Sequence, residues 1–190
     1  MIVLIGVLCL AAWVYLIGFH GRFWRSSPEL DDGAPGRNAR LVAIVPARDE
    51  AAHIARSIGS LLAQAYAGEF SIVLVDDSST DGTAAIAARL ASAPRLHIVA
   101  GQPLLPGWTG KLWAIQQGLA LPLAQDADYI LLIDADIEHA PGHISALVAK
   151  AERNHLDLVS EMVLLHCKVP AERALIPAFV FFFQMLYPFA

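Results

Sequence analysis

Two acidic clusters and one lysine hold most of the chemistry this sequence can do. Asp76 and Asp77 open the run DDSSTDGT (76–83), Asp134 and Asp136 flank Ala135, and Lys111 closes the loop GQPLLPGWTGK (101–111). Adjacent carboxylates repel, so Asp76 and Asp77 need a donor or a cation nearby. A carboxylate there can accept from a base imide N–H and from ribose hydroxyls. Asp134 and Asp136 stand at i and i+2, and at a strand end both point the same way. Mg²⁺ is held by one or two carboxylates plus substrate phosphates, and Mn²⁺ suits the same oxygen ligands. Lys111 opens a helical stretch, where its charge opposes the macrodipole. An anionic diphosphate would give that unfavourable position a purpose.

Each feature also has a plainer reading. DDSSTDGT is a turn followed by a helix, with Asp81 or Thr83 as the cap. D-x-D alone is a solvated loop, Lys111 an exposed lysine, and Trp108 either a stacking platform or a packing residue. His139 is a possible further metal ligand, with a surface or supporting histidine as the alternative. His139 and His143 have the i, i+4 spacing of a metal pair, but Pro141-Gly142 interrupts the helix that would align them. What moves Asp134 and Asp136 beyond the plain reading is their place directly after YILLI (129–133), with DDSSTDGT after another strand-like run. PARDE (46–50) contains no glycine and no GxGxxG follows the first strand, so the dinucleotide fingerprint is missing; GxxxxGK[ST] is absent too.

The elements that must position these residues follow from periodicity. LVAIV (41–45), SIVLV (71–75), LHIVA (96–100) and YILLI are short apolar runs that predict strands, with LDLVSEMVLL (156–165) a fifth. Between them, 50–66, 83–92, 111–119 and 142–154 read as helices; Ile54, Ile58, Leu61 and Leu62 share one face of the first. Strands alternating with helices imply βαβ units and a parallel sheet covered on both faces. Ligands of such sheets bind beyond the carboxyl ends of the strands. PARDE, DDSSTDGT and DAD all fall there.

Of the 190 residues 56% are hydrophobic and 16% charged, which excludes a disordered chain. The formal net charge is −5 and there is no basic cluster, so nucleic acid is not an expected partner. Two cysteines, Cys9 and Cys167, make no disulfide framework. Residues 1–19 carry no charged side chain and make a helix of about 28 Å, close to the roughly 30 Å hydrocarbon core. They lack the basic leading segment and small-residue cleavage site of a signal peptide. Arg22 and Arg25 follow this span, so the positive-inside bias puts the rest of the chain in the cytoplasm. Residues 174–190 are apolar again, and Pro177 and Pro188 argue against one clean spanning helix. The predicted layout is a transmembrane anchor (1–20), a linker (21–40), an α/β domain (41–173), which the resemblance described next implies to be nucleotide-sugar-binding and incomplete at its C-terminal side, and an apolar interfacial or re-entrant segment (174–190).

VPARDEA (45–51), VDDSSTDGT (75–83), Gly110-Lys111 and LIDADI (132–137), in this order, resemble the nucleotide-sugar-dependent glycosyltransferases of family 2. The apolar N-terminus with PGWTGKLWA (106–114), DADIEHAP (134–141) and ERALIPAFVFFFQMLYPF (172–189) resembles their hopanoid-associated membrane branch. The resemblance implies an α/β fold of GT-A type: a Rossmann-like, mostly parallel sheet with helices on both faces, preceded by a transmembrane helix. It implies that Pro46, Ala47, Arg48 and Glu50 line the nucleoside pocket and that Asp76 and Asp77 hold the uracil and ribose of a UDP-sugar. Lys111 would contact the nucleotide, and Asp134 and Asp136 would hold Mg²⁺ or Mn²⁺ and the diphosphate. The implied reaction is inverting transfer of a sugar to a lipid acceptor at the inner membrane. The family's catalytic base and Q/R-x-x-R-W segment are expected beyond residue 190. A nucleotidyltransferase and an inert nucleotide-sugar-binding module are the alternatives.

Overall fold

A computed structural model describes residues 1–24, 30, 33, 38–90 and 93–188. The elements run α1 (Ile2–Phe19), β1 (Leu41–Ala47), α2 (Ile54–Leu62), β2 (Phe70–Asp76), α3 (Thr83–Ala88), β3 (Leu96–Ala100), α4 (Gly110–Leu119), α5 (Pro122–Gln125), β4 (Tyr129–Leu132), α6 (His143–Asn154) and α7 (Pro170–Leu186). The chain divides into two compact units, Leu30–Ser160 on the one hand and Met1–Glu29 with Glu161–Ala190 on the other. The predicted linker falls largely on residues outside those described.

The first unit is a four-stranded sheet of order β3-β2-β1-β4. All its pairings are parallel, with Leu41 opposite Phe70 and Tyr129, and Asp76 opposite both Ala47 and Ala100. The pleat sorts the apolar strands onto two faces. Leu41, Ala43, Val45, Ile72 and Leu74 pack with Ile54, Ile58 and Leu61 of α2, Ala87 of α3, and Ile144 and Val148 of α6. Val42, Ile44, Val73 and Val75 pack with Ala114 of α4 and Ala124 of α5. Helices thus cover both faces, and near-continuous apolar strands are what double burial requires. On the second face the contact is close. A Cβ at Gly118 would stand 2.7 Å from Ile44 Cγ2 and 3.4 Å from Val75 Cγ2.

Two local expectations change. Residues 156–165 form no strand; Leu158, Leu164 and their neighbours are exposed and find no ladder partner among the described residues. Strand propensity expresses itself through packing on cross-strand neighbours, and this run has none. Residues 50–53 form a turn, and the first helix of the unit starts only at Ile54.

In the second unit, α1 is 18 residues long with a mean hydropathy of 2.6 and no buried side chain. It is the one helix among the described residues long and apolar enough to cross a membrane. α7 continues through Pro177 for 17 residues. Its start is held by Glu172 Oε2, which accepts from the Lys168 and Val169 N–H groups at 2.6 and 3.0 Å. Phe23, buried, meets the edge of Phe181 at 5.3 Å, and His20 Nε2 donates to the Met185 carbonyl at 2.9 Å.

Gly118→Val should overpack the α4–sheet contact and lower stability by about 1–3 kcal/mol. A thermal midpoint equal to that of the unsubstituted chain would contradict the close approach.

Candidate functional site

β1 lies at the centre of the strand order, with β2 on one side and β4 on the other. The chain's progress through the sheet reverses between β1 and β4, and ligands of open α/β sheets bind at such a switch point. A cavity of about 400 Å³ opens there, lined by Pro46, Ala47, Arg48, Glu50, Asp77, Gly110, Lys111, Ala114, Asp134, Ala135 and Asp136. That volume lies within the ordinary range for small-molecule sites. Its charged lining is two cations and four carboxylates, a formal −2.

Of the nine residues that the resemblance assigns to the nucleotide and the metal, eight line this one cavity. Arg48 Nη1 lies 3.5 Å from Asp77 Oδ2, and Lys111 Nζ is paired with Asp134. The ninth, Asp76, is beside the cavity and absent from its wall; its Oδ1 is buried with no hydrogen-bond partner among the described residues. Glycine at 110 lets the start of α4 close on the site without moving the Asp77 carboxylate, since a Cβ there would lie 2.9 Å from Asp77 Oδ2.

Asp134 and Asp136 do not stand on the strand pleat, because β4 ends at Leu132. The alternation persists into the following turn: Ile133 and Ala135 are buried, and the two aspartates between and beyond them are exposed. Both carboxylates therefore reach the same cavity for a reason the strand rule only approximates.

Sequence reasoning missed the bracing of these loops. Asp49 and Ser78, one after each of β1 and β2, adopt φ of 54° and 60°, a conformation few non-glycine residues take. Asp49 N–H donates to Ser79 Oγ at 3.0 Å, and Thr80 N–H donates to Asp49 Oδ1 at 2.7 Å. Glu50 N–H donates to Thr83 Oγ1 at 2.8 Å. Asp81 is not the expected helix cap; Gly82 holds that position. Asp81 Oδ2 instead accepts from Ala51 N–H at 2.9 Å, while its Oδ1 accepts from Thr83 Oγ1 at 2.6 Å. The Thr83 hydroxyl and the Ala51 N–H hold the Asp81 carboxyl below its usual value.

The segment after Asp136 is anchored on α2. Gln64 Nε2 donates to the Ala140 carbonyl at 2.7 Å and Gln64 Oε1 accepts from Ile144 N–H at 3.1 Å. His139 N–H donates to Ser60 Oγ at 3.0 Å. The available signal was that Gln64 continues the buried stripe Ile54–Ile58–Leu61, an unusual place for an amide. His139 and His143 do meet, with Nδ1 atoms 2.9 Å apart and rings stacked at 5.0 Å. They lie outside the cavity lining. Burial first, and then the charge of His143, push His139 down to about 4. Trp108 packs against Trp113 at 5.3 Å, also outside the cavity.

Among the described residues no group of three or more His, Cys, Asp and Glu could hold a metal by itself. Two aspartates facing an open, negatively charged cavity fit an ion that takes its remaining oxygens from substrate phosphates and water.

The profile of glycosyl transferase family 2 matches residues 42–186. The chain belongs to this family. It is 37% identical over 87 residues to an undecaprenyl-phosphate 4-deoxy-4-formamido-L-arabinose transferase of Enterobacter sp. (strain 638), covering 46% of this chain and 25% of that protein. The transferase of the same name from Shewanella sediminis (strain HAW-EB3) is 32% identical over 114 residues, covering 59% of this chain and 33% of the relative. The chain thus spans a quarter to a third of the length of these relatives. Among solved structures, the Pyrobaculum calidifontis mannosyltransferase in complex with GDP-Man and Mn²⁺ superposes with a TM-score of 0.54 at 22% identity, covering 77% of this chain and 40% of that one. The parallel sheet with helices on both faces is accordingly of GT-A type.

His139 is neutral when folded and would take up a proton near pH 6.5 when unfolded. Its folded value is depressed, so its contribution is present above pH 6.5 and is lost as the pH falls toward about 4. His139→Gln should flatten the decline of the unfolding midpoint across that window. An equally steep decline in the variant would remove His139 as its source.

Proposed function

We propose that this chain is the donor-binding part of a membrane-anchored, metal-dependent, inverting glycosyltransferase that moves a sugar from a UDP-sugar to a lipid acceptor. The observation that carries the reading is the convergence of Asp77, Asp134, Asp136, Arg48 and Lys111, from the ends of three strands and the start of one helix, on a single cavity at the switch point.

Pro46, Ala47, Arg48 and Glu50 form the wall on which the nucleoside lies. Asp77 accepts from it, and the buried, unsatisfied Oδ1 of Asp76 offers a second acceptor for a base N–H or a ribose hydroxyl. Lys111, at the start of α4, supplies a positive charge to the diphosphate. Asp134 and Asp136 would hold Mg²⁺ or Mn²⁺. Such an ion, when bound, offsets charge that grows on the leaving phosphate. An oxygen of the acceptor attacks the anomeric carbon from the side opposite the nucleotide as the bond from that carbon to the diphosphate breaks; where that oxygen is a hydroxyl, a general base takes its proton.

A lipid acceptor is supported by the lipid-phosphate acceptors named in the curated relatives and by the apolar helix α1. With Arg22 and Arg25 after α1, the donor-binding domain over 41–173 lies on the cytoplasmic face of the inner membrane. The apolar part of α7, within 174–190, then lies at the interface, with Leu175, Phe179, Phe182 and Leu186 exposed. A hopanoid-type acceptor rests on the resemblance carried by the apolar N-terminus with PGWTGKLWA, DADIEHAP and ERALIPAFVFFFQMLYPF.

Asp136→Ala should abolish the metal-dependent part of UDP-sugar binding, measured by calorimetry with and without Mn²⁺. Equal affinities for variant and parent under both conditions would sink the site. Release of pyrophosphate on incubation with a sugar phosphate and a nucleoside triphosphate would instead point to a nucleotidyltransferase.

A further inference from the structure

The two cations of the cavity are each tied to a cavity carboxylate, Arg48 to Asp77 and Lys111 to Asp134. Asp136 and Glu50 have no ion pair among the described residues. Lys111 sits in the first turn of α4, where its charge opposes the helix dipole, and Asp134 compensates it there. Asp134 is also one of the two carboxylates that face the cavity side by side.

We propose that Lys111 is an internal counterion that a divalent cation must displace from Asp134, so that arrival of the cation frees the ammonium group for the nucleotide diphosphate. This rests on the donor-site reading above. The Asp134 Oδ1 that accepts from the ammonium has less charge to offer a small, strongly coordinating cation than an unpaired carboxylate oxygen. With Lys111 in place, the cation meets one unopposed aspartate and one already neutralised. Once the ammonium leaves, both aspartates turn to the cation, and Lys111 has lost its anion. A diphosphate entering the cavity replaces that anion. Cation and nucleotide therefore favour each other's binding, and by linkage the coupling is the same in both directions. The pair is largely solvated, its side chains 58% and 55% exposed, so it restrains the cation modestly and does not block it.

The test measures Mn²⁺ binding to the full chain in detergent by electron paramagnetic resonance, without nucleotide, for the parent, Lys111→Met, Lys111→Arg and Arg48→Met. UDP affinity at saturating Mn²⁺ is measured in parallel. Lys111→Met should bind Mn²⁺ alone about two- to fivefold more tightly, the scale of one exposed ion pair. The same variant should bind UDP about tenfold or more weakly, the scale of a lost charge-assisted hydrogen bond. Lys111→Arg, which keeps the charge, should restore the parent's weaker Mn²⁺ binding. Opposite shifts from one substitution are not what a merely structural lysine produces. Unchanged or weaker Mn²⁺ binding by Lys111→Met would overturn the proposal. An equal gain in Arg48→Met would also overturn it, because the effect would then be general charge and not release of Asp134. Absence of Mn²⁺ binding to the parent even with UDP would overturn the donor-site reading, and this inference with it.

Discussion

Carboxylates gathered at the ends of neighbouring parallel strands repel one another, and the rest of this site is organised around holding them together. Asp77, Asp134 and Asp136, with Glu50, face one cavity whose walls carry two cations. The excess negative charge is partly met by Arg48 and Lys111. It is further tolerated because the cavity is open to water, which screens the remainder.

Holding the acids requires loops that do not relax apart. The loop after β1 and the loop after β2 are joined by Asp49, Ser79, Thr80, Asp81 and Thr83 through backbone and side-chain hydrogen bonds. The left-handed conformations of Asp49 and Ser78 cost energy that these bonds offset. The turn that carries Asp134 and Asp136 leads into a segment fixed to Ser60 of α2 and to Gln64 just beyond it. Behind the cavity, Gly118 lets α4 settle on Ile44 and Val75, which brings Lys111 to the mouth. The residues that bind and the residues that brace are interleaved in the same short motifs, which is why the motifs are dense in polar side chains.

Much of this was legible in the linear chain. Strand and helix alternation, the apolar runs of β1 to β4 and the acidic run after each of β2 and β4 followed from periodicity and residue type. The helix ends were less accurate, because Gly82 took the cap expected of Asp81 or Thr83 and the turn at 50–53 delayed α2. The run at 156–165 has strand-like residues but no ladder partner among the described residues. Gln64 and Asp49 were passed over because their partners lie far along the chain, 76 residues on for Ala140 and 31 for Thr80.

By itself, then, the linear order of residues settled the types of β1 to β4 and of the helices α2, α3, α4 and α6, the two-faced burial of the strands and the placing of acidic side chains at their carboxyl ends; it did not foresee that 156–165 forms no strand or that α7 runs on through Pro177. These depend on local period and chemistry. Only the folded chain decided that β4 joins the sheet beside β1, that Asp77 and not Asp76 takes the cavity wall, and that Lys111 rests on Asp134. Each of those is set by which distant segments become neighbours, and spacing along a chain carries no record of strand order or of the partner a charged side chain will meet.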